Sequence, residues 1–93
     1  MHILAVDDEK FALEALQNEL KQVFVDHQIH IEQKASLAIE WARALLDNNE
    51  KLDYAFLDIQ IGSMSGLELA KELKMIHPNV ILFFLHSTFE ICL

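Results

Sequence analysis

Two short apolar runs in this 93-residue chain end in acid: Ile3-Leu4-Ala5-Val6 stops at Asp7-Asp8-Glu9, and Tyr54-Ala55-Phe56-Leu57 stops at Asp58. A run of about four apolar residues without alternation fits a strand covered on both faces, not an exposed strand with one wet side. After the first acidic stop the spacing becomes helical, with Leu13, Leu16, Leu20 and Phe24 on one stripe and Ala12 and Val23 beside it. Ile29 to Gln33 alternates apolar with polar and predicts a strand, placed by that alternation at an edge. Ser36 is then positioned to cap a helix bearing Ala38, Trp41, Ala42 and Leu45, which Asp47-Asn48-Asn49 ends.

The loop after Asp58 holds both glycines of the chain, Gly62 and Gly66. Their concentration marks the place where the backbone needs unusual dihedrals or close approach. Leu67, Ala70, Leu73 and Ile76 predict a third helix closed by His77-Pro78, because proline disfavours helical geometry in the residue before it. Val80 to Leu85 is apolar throughout and reads as a fourth strand, buried on both faces. Strand and helix alternating three times predict an α/β domain, a parallel sheet covered by helices with right-handed crossovers. Residues 1–93 are expected to form one domain, with no linker, repeat or low-complexity segment.

Charge and composition remove several classes of function. Seven Lys and Arg stand against fifteen Asp and Glu, a net charge of −8, which is the wrong sign for gripping nucleic acid or anionic lipid. The longest apolar run is far too short to cross a bilayer, and Met1-His2-Ile3 has no basic leader, so a cytoplasmic protein without membrane attachment is expected. A single cysteine, Cys92, cannot form an internal disulfide. His2, His27, His30, His77 and His86 lack zinc-ligand spacing and are read as surface histidines, so no transition metal is assigned.

In a parallel α/β sheet every strand delivers its carboxyl end to one edge, where ligands bind at the crevice between strands that leave in opposite directions. Asp7, Asp8 and Asp58 all fall at that edge. Taken singly, Asp7 or Asp8 reads as a helix cap and Asp58 as a turn residue. Together, three carboxylates in one small volume require protonation or a cation to relieve their repulsion. Oxygen ligands with coordination positions left for water and phosphate suit Mg²⁺.

Ile3-Leu4-Ala5-Val6-Asp7-Asp8-Glu9, with Leu57-Asp58-Ile59-Gln60 and Met64-Ser65-Gly66-Leu67-Glu68-Leu69, resembles the motif set of bacterial two-component response-regulator receiver domains, over Met1 to about Phe84. The style is similar to LytTR-type regulators or sporulation-regulator homologues. The resemblance implies a flavodoxin-like, three-layer fold with strand order 2-1-3-4, an order taken from the family. It implies Asp58 as phosphoacceptor, Asp8 and Asp58 as direct Mg²⁺ ligands, Asp7 as holder of a metal-bound water, and the Gln60 main-chain carbonyl as a further ligand. It also implies a sensor histidine kinase as partner, a stoichiometric acceptor and not an enzyme, and transcription regulation by the parent protein through an output domain that this chain lacks.

The chain departs from the family pattern in two places. Ile61-Gly62 stands where Met-Pro is usual, and Leu85-His86-Ser87-Thr88 stands where a hydroxyl residue followed by Ala is usual. Ser87 and Thr88 are the candidates for the phosphoryl-contacting hydroxyl. The fifth strand with its lysine and the last two helices are missing, so the receiver is expected to be incomplete at its C-terminus. Val80 to Leu85 would then be an exposed apolar edge that a partner or a second copy, as in a homodimer, would cover. Residues 85–93 can be encoded so that reading one base later gives Cys-Thr-Ala-His-Leu-Lys-Tyr-Ala, which resembles a receiver continuation. A frameshift is therefore permitted by the genetic code. Two rivals remain: an inert fragment or interaction module whose acids only cap helices, and a Mg²⁺-dependent phosphatase of the haloacid-dehalogenase type. The latter expects Asp-x-Asp-x-Thr after the first strand, where this chain has Asp7-Asp8-Glu9-Lys10-Phe11.

Overall fold

The first apolar run becomes β1 (His2–Val6), buried at every position. The computed structural model describes residues 1–85 and the backbone of residues 90–92. β1 lies between β2 (Gln28–Glu32) and β3 (Leu52–Asp58) and runs parallel to both. β6 (Ile81–Leu85) pairs parallel with β3, and β7 (Glu90–Cys92) pairs antiparallel with β6, giving the order β2-β1-β3-β6-β7. The parallel part therefore has the expected 2-1-3-4 arrangement. The chain reverses its direction of travel across the sheet between β1 and β3, which opens a crevice at their carboxyl ends.

Alternation along β1 divides the core into two layers, since successive strand side chains point to opposite faces. Leu4 and Val6 pack with Ala38, Ala42 and Leu45 of α2 (Ala35–Asp47) and Leu69 and Leu73 of α3 (Gly66–Ile76). Ile3 and Ala5 face the other way, beneath Leu13 and Leu20 of α1 (Lys10–Val23). Helices on both faces explain why β1 and β3 carry near-continuous apolar runs.

Several expectations are corrected. The apolar edge expected at Val80 to Leu85 is not bare: β7 pairs with it through Phe83↔Cys92, Phe84↔Ile91 and Leu85↔Glu90. Backbone groups on an apolar strand need partners, and the chain's own next extended segment supplies them. Ser36 does not cap α2, because Ala35 is drawn into the core and the helix starts two residues earlier than a Ser36 cap would place it, with Lys34 at the N-cap and no side-chain capping bond. On α3 the buried face is Gly66, Leu69, Ala70 and Leu73, while Leu67 is 54% exposed. Val23, expected beside the α1 stripe, is 73% exposed, and Ala12 is exposed as well.

Two histidines are internal and not on the surface. His77, only 5% exposed, places Nε2 2.8 Å from the Ala42 carbonyl and Nδ1 3.4 Å from the Leu52 N–H. With Nε2 protonated it donates to one and accepts from the other, tying α2, the end of α3 and the start of β3 together. His2, 9% exposed, pairs with Glu50 at 3.0 Å, and its main-chain N–H donates to Asp53 Oδ2 at 3.0 Å. Trp41 lies between His30, stacked at 4.4 Å, and the edge of the His2 ring at 6.1 Å. Among the described residues no helix is long and apolar enough to cross a membrane.

Candidate functional site

The carboxyl ends of β1 and β3 deliver the three acids to one place. Val6 pairs with Leu57 in the register of the two strands, so the residues that follow, Asp7 and Asp58, emerge side by side. One carboxylate oxygen from each of Asp7, Asp8 and Asp58 lies within 4.8 Å of the others. Asp7 and Asp58 are half-buried and Asp8 is exposed. Burial pushes the Asp7 carboxyl above its ordinary range; the Glu9 N–H partly offsets this, and the negative charges of Asp58, Asp8 and Glu9 raise it further.

None of these acids is the N-cap residue of α1. The N-cap of α1 is Glu9, with no side-chain capping bond. Asp7 instead accepts from the Glu9 N–H at 3.0 Å through Oδ1, and Asp8 Oδ2 accepts from the Gly62 N–H at 3.3 Å across the crevice. The Asp7 N–H donates to the Glu32 carbonyl at 3.3 Å, and the Gln33 side-chain amide donates to the Asp8 carbonyl at 3.3 Å. Three loops thus converge on Asp8.

Asp58 is the last residue of β3 and is registered against Leu85. The segment after it forms a small hairpin, β4 (Gln60–Ile61) with β5 (Met64–Ser65), in place of the expected open loop. Gly62 turns it at φ 61, while Ser63 has no positive φ, as a type II′ hairpin requires. Gly66 starts α3 hard against the strand: a Cβ there would stand 2.1 Å from the Asp58 carbonyl oxygen. Only glycine permits that approach. The Ser65 hydroxyl accepts from the Glu68 N–H at 3.2 Å and caps α3. The spacing Ser-x-x-Glu carried that signal in the sequence.

Gln60 turns its side-chain amide to the Gly62 carbonyl at 3.0 Å, leaving its main-chain carbonyl assigned by resemblance alone. Ser87 and Thr88, the candidate phosphoryl contacts, lie outside the described residues. The Gln33 and Gly62 contacts with Asp8 had no signal in the sequence, because both join segments far apart along the chain.

An open α/β domain with an acidic cluster at its topological crossover is a class shared by several kinds of phosphate chemistry. This chain belongs to one family within it: residues 3–90 match the response regulator receiver domain. It is 41% identical over 76 residues to an uncharacterized response regulatory protein of Vibrio cholerae, covering 82% of this chain and 29% of that protein. The chain thus spans less than a third of that relative's length. The fold is similar to a Burkholderia pseudomallei response regulator whose structure carries a phosphorylated aspartic acid, calcium ion and citrate (TM-score 0.74, 22% identity, 89% of this chain and 45% of that one). It is also similar to the signal receiver domain of a modulated diguanylate cyclase from Desulfovibrio desulfuricans G20 (TM-score 0.73, 22% identity, 94% and 65%). The chain is therefore a receiver domain of a two-component response regulator.

Proposed function

We propose that this chain accepts a phosphoryl group on Asp58 from a phosphohistidine of a sensor kinase. The observation that carries the reading is the convergence of Asp7, Asp8 and Asp58 within 4.8 Å in a receiver-family chain. An Asp58 carboxylate oxygen forms the new bond to phosphorus while the phosphorus–nitrogen bond of the donor breaks. The electron pair leaves with the imidazole nitrogen, which takes up a proton. The product is an acyl phosphate of about −2 charge in place of a carboxylate of −1, and that added charge with its phosphoryl oxygens is the signal. Each chain is modified once, so it acts as an acceptor and not as an enzyme with turnover.

The donor set fits a hard divalent cation, since all three side chains offer oxygen and, among the described residues, no nitrogen or sulfur ligand joins them. Asp8 and Asp58 would hold Mg²⁺, Asp7 would hold a water on it, and the bound ion would neutralise charge on the transferring phosphoryl oxygens. The chain's own residues supply the rest. β3 fixes the nucleophile, Gly66 lets α3 buttress its main chain, and the Gly62 N–H orients Asp8. The calcium ion and phosphorylated aspartic acid of the Burkholderia protein support the same reading by analogy. Regulation of transcription would belong to a longer parent protein in the cytoplasm.

Incubation with Mg²⁺ and a small acyl-phosphate donor, followed by intact-mass measurement, tests the proposal. One hydroxylamine-labile phosphoryl adduct is expected on the parent chain and none on Asp58→Asn. An adduct that persists in Asp58→Asn would refute the assignment.

A further inference from the structure

Asp8 differs from its two acidic neighbours in being exposed, and an exposed aspartate in a loop samples several orientations unless something fixes it. The last main-chain rung between β1 and β2 beyond their paired residues is the Asp7 N–H donating to the Glu32 carbonyl. One residue further along each strand, where sheet pairing has ended, the Gln33 side chain reaches back and donates Nε2–H to the Asp8 carbonyl at 3.3 Å. The ladder is thereby extended by a side chain. On the opposite side of Asp8, its carboxylate accepts from the Gly62 N–H, and the Gly62 carbonyl is held in turn by the Gln60 amide. Asp8 is gripped at the main chain from β2 and at the side chain from the β4–β5 hairpin.

We propose that Gln33 is a positioning residue for the acceptor site, holding the Asp8 main chain so that its carboxylate is presented to the cation in one orientation. The inference rests on the reading of Asp8 as a metal ligand. Gln33 does not touch the reacting atoms. It acts through Asp8, as outer-shell hydrogen bonds orient metal ligands in general. Its side chain is exposed and carries no part of either core layer, so its removal leaves the packing intact.

The test is a titration of the full chain with MgCl2 alone, following backbone amide shifts of residues 7–9 and 62 by NMR, for the parent, Gln33→Met and Asp8→Asn. Gln33→Met keeps the length of the side chain and removes its donor. The expected result is a Mg²⁺ dissociation constant raised about fivefold. That is smaller than the roughly 10- to 100-fold typical of outer-shell partners, because this bond is open to solvent. The Mg²⁺-free melting temperature should stay within about 2–4 °C of the parent, the usual span of surface changes in a domain of this size. An unchanged dissociation constant overturns the proposal. So does a weakening matched by a lower Mg²⁺-free melting temperature, which would reveal a general structural role. Should Asp8→Asn bind Mg²⁺ as well as the parent does, the metal-site reading itself fails and the positioning role falls with it. Gln33→Ala repeats the comparison if the Met variant does not fold.

Discussion

The two ends of the same parallel sheet treat charge in opposite ways. At the amino end several polar groups have protein partners: His2 with Glu50, the His2 N–H with Asp53, and His77 with the Ala42 carbonyl and the Leu52 N–H, while His27 Nδ1, just before β2, is buried without one. At the carboxyl end Asp7, Asp8 and Asp58 face one another, and among the described residues no ion pair with Lys, Arg or His is made by any of them. The first arrangement holds the fold together, and the second leaves repulsion in place for a cation to relieve. Polar residues settled by their neighbours point to structure, whereas like charges left facing each other point to a ligand.

The contrast can be broken most severely where the two ends meet the backbone. Gly66→Ala should lower stability by about 3 kcal/mol or more, because the added carbon meets main-chain oxygen and the strand or helix must shift. Urea unfolding checks it, and a loss below about 1 kcal/mol would mean that α3 is free to move away. His77→Leu should cost about 1–3 kcal/mol by stranding the buried Leu52 N–H. The same unfolding experiment reads it, and a neutral result would remove the amino end's claim to structural importance.

A smaller effect of opposite sign is expected at the other edge. The folded state raises the Asp7 pKa above that of the unfolded chain, so folding favours the protonated acid. That contribution is present at low pH and is lost as pH rises through the raised value, leaving a destabilising charge at neutrality. Asp7→Asn should therefore raise the Mg²⁺-free melting temperature at pH 7 by about 1–3 °C, a small change because solvent screens the site. It should also flatten that part of the pH dependence and shrink the stabilisation that Mg²⁺ confers. A lower melting temperature in the variant would contradict the repulsion argument. The smallest change is expected for Glu50→Gln, about 0.2 kcal/mol or less by urea unfolding, since Glu50 is half exposed and its pair with His2 is screened.

Much of the fold was legible because β1 and most of β3 are covered on both faces and announce themselves as apolar runs, whereas β6, expected to be buried on both faces, leaves Ile81 43% exposed because no described helix covers that end of the strand. The acids that terminate β1 and β3 were legible for the same reason, since the end of each run fixes where its carboxyl edge lies. Local rules failed where tertiary contact decided the outcome. Leu67 and Leu69 are equally apolar, and only the start of α3 at Gly66, set by contact with β3, determines which one turns inward. His77 was read as a surface residue beside a proline because nothing local shows that Ala42 and Leu52 will supply its partners. Gln33 escaped notice for a similar reason: its bond crosses 25 positions of sequence.

Asp58 sits on the sheet and not on a loop, with Leu85 across from it and the first residue of α3 pressed against its carbonyl. An aspartate on a loose segment could absorb a new charge by swinging aside. This one is mounted on an anvil, so the recoil from the proposed modification would be taken up by what surrounds it. The β4–β5 hairpin, two residues to a strand and turned on Gly62, follows Asp58 after a single residue and is tied to Asp8, so it stands first in line to receive that push.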